Sequence, residues 1–294
     1  MTKGKFLAFG GALFGGLYLA EDKKYWPNYS RFVRKMSEAE IPKSIREPVF
    51  KSLIYVGKIN TEDIIDPLDS FRNIQEFFTR RVKSRQISVT DSEILAPADS
   101  RVAEIRAVDS DRPITVKGVP YSISRLLTNS NDPLTPEQLK ALGAGPDRQL
   151  YAVSLYLAPN DYHRYHSPQN LEVNGMKHIP GYRMTVAPNA VSHMSVLDNN
   201  ERVVMNASSP FGPLQLAFIS ATGVGGIQVL DRDSADFKPW AQQETKSLKA
   251  GEEIGKFLLG SSIVMVVGVP KNFKWTIGEG DKVRYGQLIG HVGK

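Results

Sequence analysis

The chain has 294 residues, no cysteine and a formal net charge of +6. Without thiols, disulfides and thiolate chemistry are excluded, so a nucleophile has to be serine, threonine, lysine or a carboxylate. Apolar content of 41% and charged content of 23% are those of a globular protein with a substantial core. The surplus positive charge points to an anionic partner; nucleic acid is disfavoured, since there is no dense Lys/Arg block and no RNA-binding aromatic signature.

Phe6 to Ala20 is an uncharged, glycine-rich stretch between Lys5 and Glu21, shorter than the about 20 residues a full span needs. Gly11 and Gly15 have the spacing that lets membrane helices approach closely. Residues 1–24 are expected to be a short membrane anchor; an uncleaved signal-like segment and a buried helix are the rival readings. Residues 25–86 read as helical, with apolar residues three and four apart and basic residues between them in Tyr29–Met36 and Pro48–Val56. A further helix is expected from Ser70, as N-cap, to Arg81. These helices cover a core, and a basic, aromatic-bearing face suits docking on an anionic membrane.

After Gln86 the pattern changes to short strands and Gly/Pro turns, so residues 87–294 are expected to form a β-rich core. Asp99 stands in a turn just before a strand at Arg101-Val102. Thr115 to Leu127 reads as strand, turn and short helix, and Thr135-Pro136-Glu137 opens a surface helix. Tyr151 to Leu157 alternates as a strand and runs into Asp161-Tyr162-His163-Arg164-Tyr165-His166-Ser167-Pro168. Two of the five histidines sit there, three residues apart in a loop at a strand end. The remaining histidines have no partner spacing and there is no cysteine, so an acid/base pair is the preferred reading over a metal site. Ala221 to Ile227 is a tight strand junction, its glycine spacing wrong for a dinucleotide fingerprint. The segment from Gly278 to Gly290 reads as turn, strand and turn, and pairs in this expectation with the segment from Ala96 as halves of one barrel.

Leu248 to Pro270 carries the sharpest chemical feature. Lys249 to Glu253 is a turn, and Ile263 to Val267 a buried strand. Between them stand Gly260, Ser261 and Ser262. Gly260 leaves its carbonyl open to close approach, and the Ser261 hydroxyl is one residue away. Attack of Ser261 Oγ on the Gly260 carbonyl would turn the amide into an ester. Elimination and hydrolysis would then leave a pyruvoyl group, an electrophile that forms a Schiff base with an amine and takes up electrons as the amine loses CO2. Alone, this triplet is a common turn sequence, and the wider chain has to carry the reading.

The wider chain resembles the phosphatidylserine decarboxylase proenzyme family, whose decarboxylases depend on a pyruvoyl group. The resemblance rests on Phe77–Arg81, Ala96–Val102, Asp161–Pro168, Ile179–Tyr182 with Val186–Pro188, Thr222–Ile227 and Gly251–Val264, in the family's order over residues 70–294. It implies an α+β fold: a helical membrane-docking region, then a barrel-sandwich-like catalytic core. It implies self-cleavage between Gly260 and Ser261 into a β chain, 1–260, and an α chain, 261–294, which stay together as a heterodimer and leave room for a higher homo-oligomer. Ser261 would become the pyruvoyl group, with no metal involved. His166 would activate Ser261, Asp99 would orient His166, and His163 would act later, in decarboxylation or reprotonation. The implied substrate is phosphatidylserine, the product phosphatidylethanolamine. The implied place is the mitochondrial inner membrane in a eukaryote or the cytoplasmic membrane in a bacterium. Two positions depart from the family pattern: Ser262 stands where threonine is usual, and Ser100 where glycine is usual. Two other readings are an uncleaved Ser-His-Asp hydrolase and a non-catalytic biotinyl- or lipoyl-like scaffold. The first lacks the Gly-x-Ser-x-Gly elbow; the second lacks a modifiable lysine at a hairpin tip.

Overall fold

The computed structural model describes residues 26–108, 114–116, 119–186, 195–221, 226–233, 246–258 and 260–293. The expected anchor, most of the 221–227 junction and Ala187-Pro188 lie outside the described residues. Among the helices described, none is long and apolar enough to cross a membrane.

Helix α1 (Trp26–Glu38) and α2 (Lys43–Gly57) come first, then a 3-10 turn at Leu68–Ser70 and α3 (Ile74–Phe78). The third helix is shorter than its pattern suggests. Ser70 closes the 3-10 turn by donating Oγ to the Pro67 carbonyl at 2.6 Å, and the cap is Asn73, which accepts the Glu76 amide at 2.9 Å. Leaving Phe71 extended lets its ring meet those of Phe50 and Phe77, at centroid distances of 5.8 and 5.4 Å. Two further short helices are α4 (Ile123–Thr128) and α5 (Pro136–Ala141). The latter opens as expected, with a reciprocal capping box between Thr135 and Gln138.

The strands are β1 (Glu93–Leu95), β2 (Ser100–Ala107), β3 (Ile114–Val116), β4 (Val119–Tyr121), β5 (Arg148–Leu157), β6 (Arg164–His166), β7 (Leu171–Ile179), β8 (Arg202–Ser209) and β9 (Gly212–Ser220). They continue with β10 (Ile227–Val229), β11 (Arg232–Asp233), β12 (Lys246–Leu248), β13 (Glu253–Phe257), β14 (Ser261–Pro270), β15 (Phe273–Trp275), β16 (Lys282–Val283) and β17 (Leu288–Val292). An antiparallel eight-stranded sheet runs β12-β7-β8-β9-β14-β5-β2-β16. A four-stranded sheet, β11-β10-β13-β6, and a three-stranded one, β1-β17-β15, lie apart from it, with β3-β4 a separate hairpin.

Alternation along β14 explains the layering. Val264 and Val266 face one core with Phe50, Phe77 and Ile74 of the helices. Ile263, Met265 and Val267 face a second core with Tyr165, Ile227 and Phe257 of the small sheet. The strand is therefore buried on both faces, and its continuous apolar run follows from that position. The layers are helices, large sheet and small sheets, an α+β sandwich. The two ends of the β region do pair: Arg101 opposes Lys282, Glu93 opposes His291, and Ala96 exchanges backbone bonds with Gln287 and Gly286. They do so without closing a barrel, since β12 and β16 stand at the two edges of the large sheet.

Of the connections between the large and the four-stranded sheet, three bear on Ser261. Residues 158–163 join β5 to β6, 221–226 join β9 to β10, and 258–260 join β13 to β14. Because β13 pairs with both β10 and β6, and β14 with both β9 and β5, the 258–260 link is the middle one. Ser261 thus opens the middle strand of the three, flanked by Leu157 of β5 and Ser220 of β9.

Candidate active site

Ser261 is the first residue of β14, opposite Leu157 on one side and Ser220 on the other. It is fully buried, and its hydroxyl has no hydrogen-bond partner. A Cβ placed on Gly260 would meet only the Leu157 carbonyl oxygen, at 3.9 Å, so the backbone before Ser261 is uncrowded.

His163 lies in the neighbouring link, fully buried. Its carbonyl accepts the Phe257 amide at 2.9 Å, which fastens it beside the segment leading to Ser261. Its Nδ1 lies 2.9 Å from the Asp161 carbonyl. A carbonyl has no proton, so Nδ1 donates, and in the neutral ring Nε2 carries the lone pair. That Nε2 is buried without a partner. Burial pushes His163 down to about 4, aided by the Arg80 guanidinium and opposed by the Asp161 carbonyl bond and by Asp99.

His166 ends up in strand β6, not in a loop, opposite Glu253. Its Nδ1 donates to the Gly251 carbonyl at 2.9 Å, and Tyr162 Oη lies 3.3 Å from Nε2. The ring stacks on Tyr285 at 3.9 Å and 11° and, on its other neighbour, Tyr162, at 5.8 Å. Burial pushes this histidine down to about 4 as well, against the opposing pull of the Gly251 bond and Asp99. Both imidazoles are therefore neutral at pH 7, with Nδ1 protonated and Nε2 basic.

Asp99 differs from the sequence expectation: it makes no hydrogen bond to His166. Its carboxylate is held by Arg85 in a two-pronged ion pair at 2.5 and 2.8 Å, and Oδ1 also accepts the Tyr285 amide at 2.8 Å. A guanidinium fork and a backbone amide outcompete a neutral imidazole for a carboxylate. The link to His166 runs instead through Tyr285, whose amide Asp99 anchors and whose ring covers the imidazole. Arg85 also lies over the Tyr285 ring, 4.1 Å from its centroid. Ser100, where the family has glycine, is buried and bonds Oγ to the Ala98 carbonyl at 3.2 Å within its own turn.

The comparisons with known proteins agree in one direction. A family model described as phosphatidylserine decarboxylase matches residues 74–291. The chain belongs to the phosphatidylserine decarboxylase family. A mitochondrial phosphatidylserine decarboxylase proenzyme of Cricetulus griseus is 31% identical over 290 residues, covering 90% of this chain and 71% of that protein. The Caenorhabditis elegans mitochondrial proenzyme is 30% identical, covering 96% and 81%. The proenzyme of the bacterium Nitrosospira multiformis is 32% identical, covering 79% and 81%. Family membership makes the chain a decarboxylase rather than a hydrolase or a carrier scaffold.

Around these family residues the structure adds groups that sequence reading left without a role. Arg85 and Tyr285 are 14 and 186 residues from Asp99. Only the pairing of the two ends of the β region, Ala96 with Gly286 and Gln287, signals that Tyr285 returns to this turn. Arg80 is buried and reaches the Asn160 and Asp161 carbonyls at 3.4 and 3.5 Å, so it braces the loop that carries His163. Asp161 is pushed up to about 6, chiefly by burial, while the Ala158 amide that it accepts at 2.8 Å works the other way. Among the described residues no three histidine or acidic side chains gather in a metal-holding group.

Proposed function

We propose that this chain is the precursor of a pyruvoyl-dependent phosphatidylserine decarboxylase that cleaves itself between Gly260 and Ser261. The observation that carries the reading is the Ser261 hydroxyl, buried without a partner next to an uncrowded Gly260, in a chain of this family. An unpaired buried hydroxyl costs about 1–3 kcal/mol, and a self-cleaving serine accounts for its retention.

Self-cleavage begins when Ser261 Oγ gives up its proton and bonds to the Gly260 carbonyl carbon. The carbon–nitrogen bond then breaks, and the Ser261 nitrogen takes up a proton. Elimination then takes the proton from Ser261 Cα and breaks the Cβ–Oγ bond, freeing the Gly260 carboxylate; the dehydroalanine left at residue 261 takes up water and releases ammonia as the pyruvoyl group forms. We assign the proton acceptor to His166, whose Nε2 is the basic atom of a neutral ring. Asp99 serves as a positioning residue through Arg85 and Tyr285. The site suits a pyruvoyl group: position 261 is fully buried, and its backbone is fixed between β5 and β9. That group supplies an electron sink for the amine-bearing substrate as CO2 departs. His163, fixed by the Asp161 carbonyl with Nε2 free, holds the proton-transfer position for the carbon that loses CO2.

The fragments, residues 1–260 and 261–294, remain one molecule in this reading. Residues 87–294 form the catalytic core, and 25–86 the membrane-facing region. Phe32, Tyr55, Val56 and Ile65 of that region are 49%, 86%, 67% and 53% exposed, and an apolar-basic surface of this kind suits an anionic bilayer that presents phosphatidylserine. In this reading that bilayer is the mitochondrial inner membrane in a eukaryote or the cytoplasmic membrane in a bacterium, and the mitochondrial and bacterial relatives support it. The test is release of CO2 from carboxyl-labelled phosphatidylserine in vesicles. Wild type should release it, Ser261→Ala should not, and prior treatment with hydroxylamine, a carbonyl trap, should abolish release. Undiminished activity after trapping would rule out a ketone at the site.

A further inference from the structure

Ser220 stands directly across from Ser261 in the β9–β14 ladder. Directly opposed residues share a face of the sheet, with Cβ atoms about 4.5–5.5 Å apart. The face is the one that Phe218 and Ile263, the opposed pair two residues further along the same strands, present to the small sheet. Ser220 is fully buried and, like Ser261, its hydroxyl has no partner. These are the two serines among the described residues left in that condition. The buried Ser37, Ser100 and Ser167 all donate to backbone carbonyls, at 2.8, 3.2 and 2.6 Å. Two orphan hydroxyls facing one another across a ladder call for one explanation.

The backbone of Ser220 is held on both sides. Its amide donates to the Glu201 carbonyl at 2.9 Å, and its carbonyl accepts Asn200 Nδ2 at 2.9 Å. The side chain therefore projects from a fixed base. On the other side of Ser261 the opposed residue is Leu157, which offers no polar group from its side chain. Rotation about χ1 of either serine closes the Cβ separation to an ordinary O–H···O distance of about 2.7–2.8 Å.

We propose that Ser220 is a positioning residue for self-cleavage: its hydroxyl donates to Ser261 Oγ, selecting the rotamer aimed at the Gly260 carbonyl and stabilising the oxygen as its proton leaves. This inference rests on the self-cleavage reading above. Its step is the amide-to-ester shift alone, an isomerisation in which the proton lost from Oγ is matched by the one gained at the Ser261 nitrogen.

The test follows newly made full-length chains in a cell-free translation pulse-chase, comparing wild type, Ser261→Ala and Ser220→Ala. Ser220→Ala should convert to fragments about tenfold more slowly, equivalent to about 1.4 kcal/mol at the barrier. Hydroxylamine, which cuts an accumulated ester, should not restore its rate, because the ester is what forms slowly. In the uncleavable Ser261→Ala background, adding Ser220→Ala should leave the melting temperature unchanged or raised, since a buried unpaired hydroxyl is removed. Cleavage of Ser220→Ala at the wild-type rate overturns the inference, as does restoration by hydroxylamine or a melting temperature lowered by several degrees. A wild-type chain that never cleaves overturns the self-cleavage reading itself, and Ser220 with it.

Discussion

His163 and His166 carry the same device in two places: Nδ1 donates to a backbone carbonyl, and burial keeps the ring neutral. The consequence for variants is a division of labour. His166→Ala should stay full length. His163→Ala should cleave but turn over phosphatidylserine at least about 100-fold more slowly, the usual scale for losing a general acid or base; electrophoresis and product formation separate the two. The depressed values also set a pH window. Between pH 6.5 and about 4 the unfolded chain binds protons at both histidines and the folded chain does not, so stability falls as pH falls through that range. Asp161 works in the opposite sense, since between about 6 and 3.8 the folded chain holds a proton that the unfolded chain has lost. Asp161→Asn removes the opposing group and should steepen the acid-side fall in melting temperature relative to wild type. An identical or shallower fall would show that these three groups do not dominate acid stability. Charged neighbours of this cluster are Asp99, Arg80, Arg85 and Arg164, so the comparison is best made at fixed ionic strength.

The central element is β14, and its two-faced burial made it legible: a continuous run of β-branched residues reads as an interior strand before any coordinates exist. The same holds for β5, whose alternation over Tyr151 to Leu157 puts Val153, Leu155 and Leu157 into one core. Position across the ladder was not legible. Nothing in the sequence brings Ser220 opposite Ser261, or Arg85 onto Asp99, because strand order is a product of long-range pairing rather than of local pattern. The short third helix failed for a related reason. Its cap moved from Ser70 to Asn73 because Phe71 had to stay extended to meet Phe50. Close strand contact also creates a packing requirement at Gly255 in β13, where a methyl would overlap the Gln228 carbonyl and press on the Tyr165 ring at 3.0 Å. Gly255→Ala should cost about 3 kcal/mol, at the upper end for overpacking, seen as a lowered melting temperature. Since β13 leads directly to Gly260, slower self-cleavage should accompany it.

At the scale of the molecule, the proposed cut between Gly260 and Ser261 would pass beside the most buried strand without releasing it. The α chain would supply β14, wedged between β5 and β9, together with β15, β16 and β17, which pair with each other or with β1 and β2. Nine successive residues, Ser261 to Val269, are buried, at about 1.5–3 kcal/mol for each large apolar side chain among them. The two fragments should therefore co-elute in gel filtration and separate only in denaturant. Family membership and the α+β class were readable from spaced motifs and a change of periodicity at Gln86. The partners of Asp99 were not, because the arginine that holds its carboxylate comes from residues 25–86 and the tyrosine whose amide it accepts from the far end of the chain. The central claim is that one peptide bond breaks itself, and intact mass under denaturing conditions tests it most directly. Wild type should give two chains ending and beginning at Gly260 and residue 261, the smaller with a blocked N-terminus, while Ser261→Ala gives one chain of 294 residues. A catalytically active wild-type protein of full, unbroken mass would contradict the account.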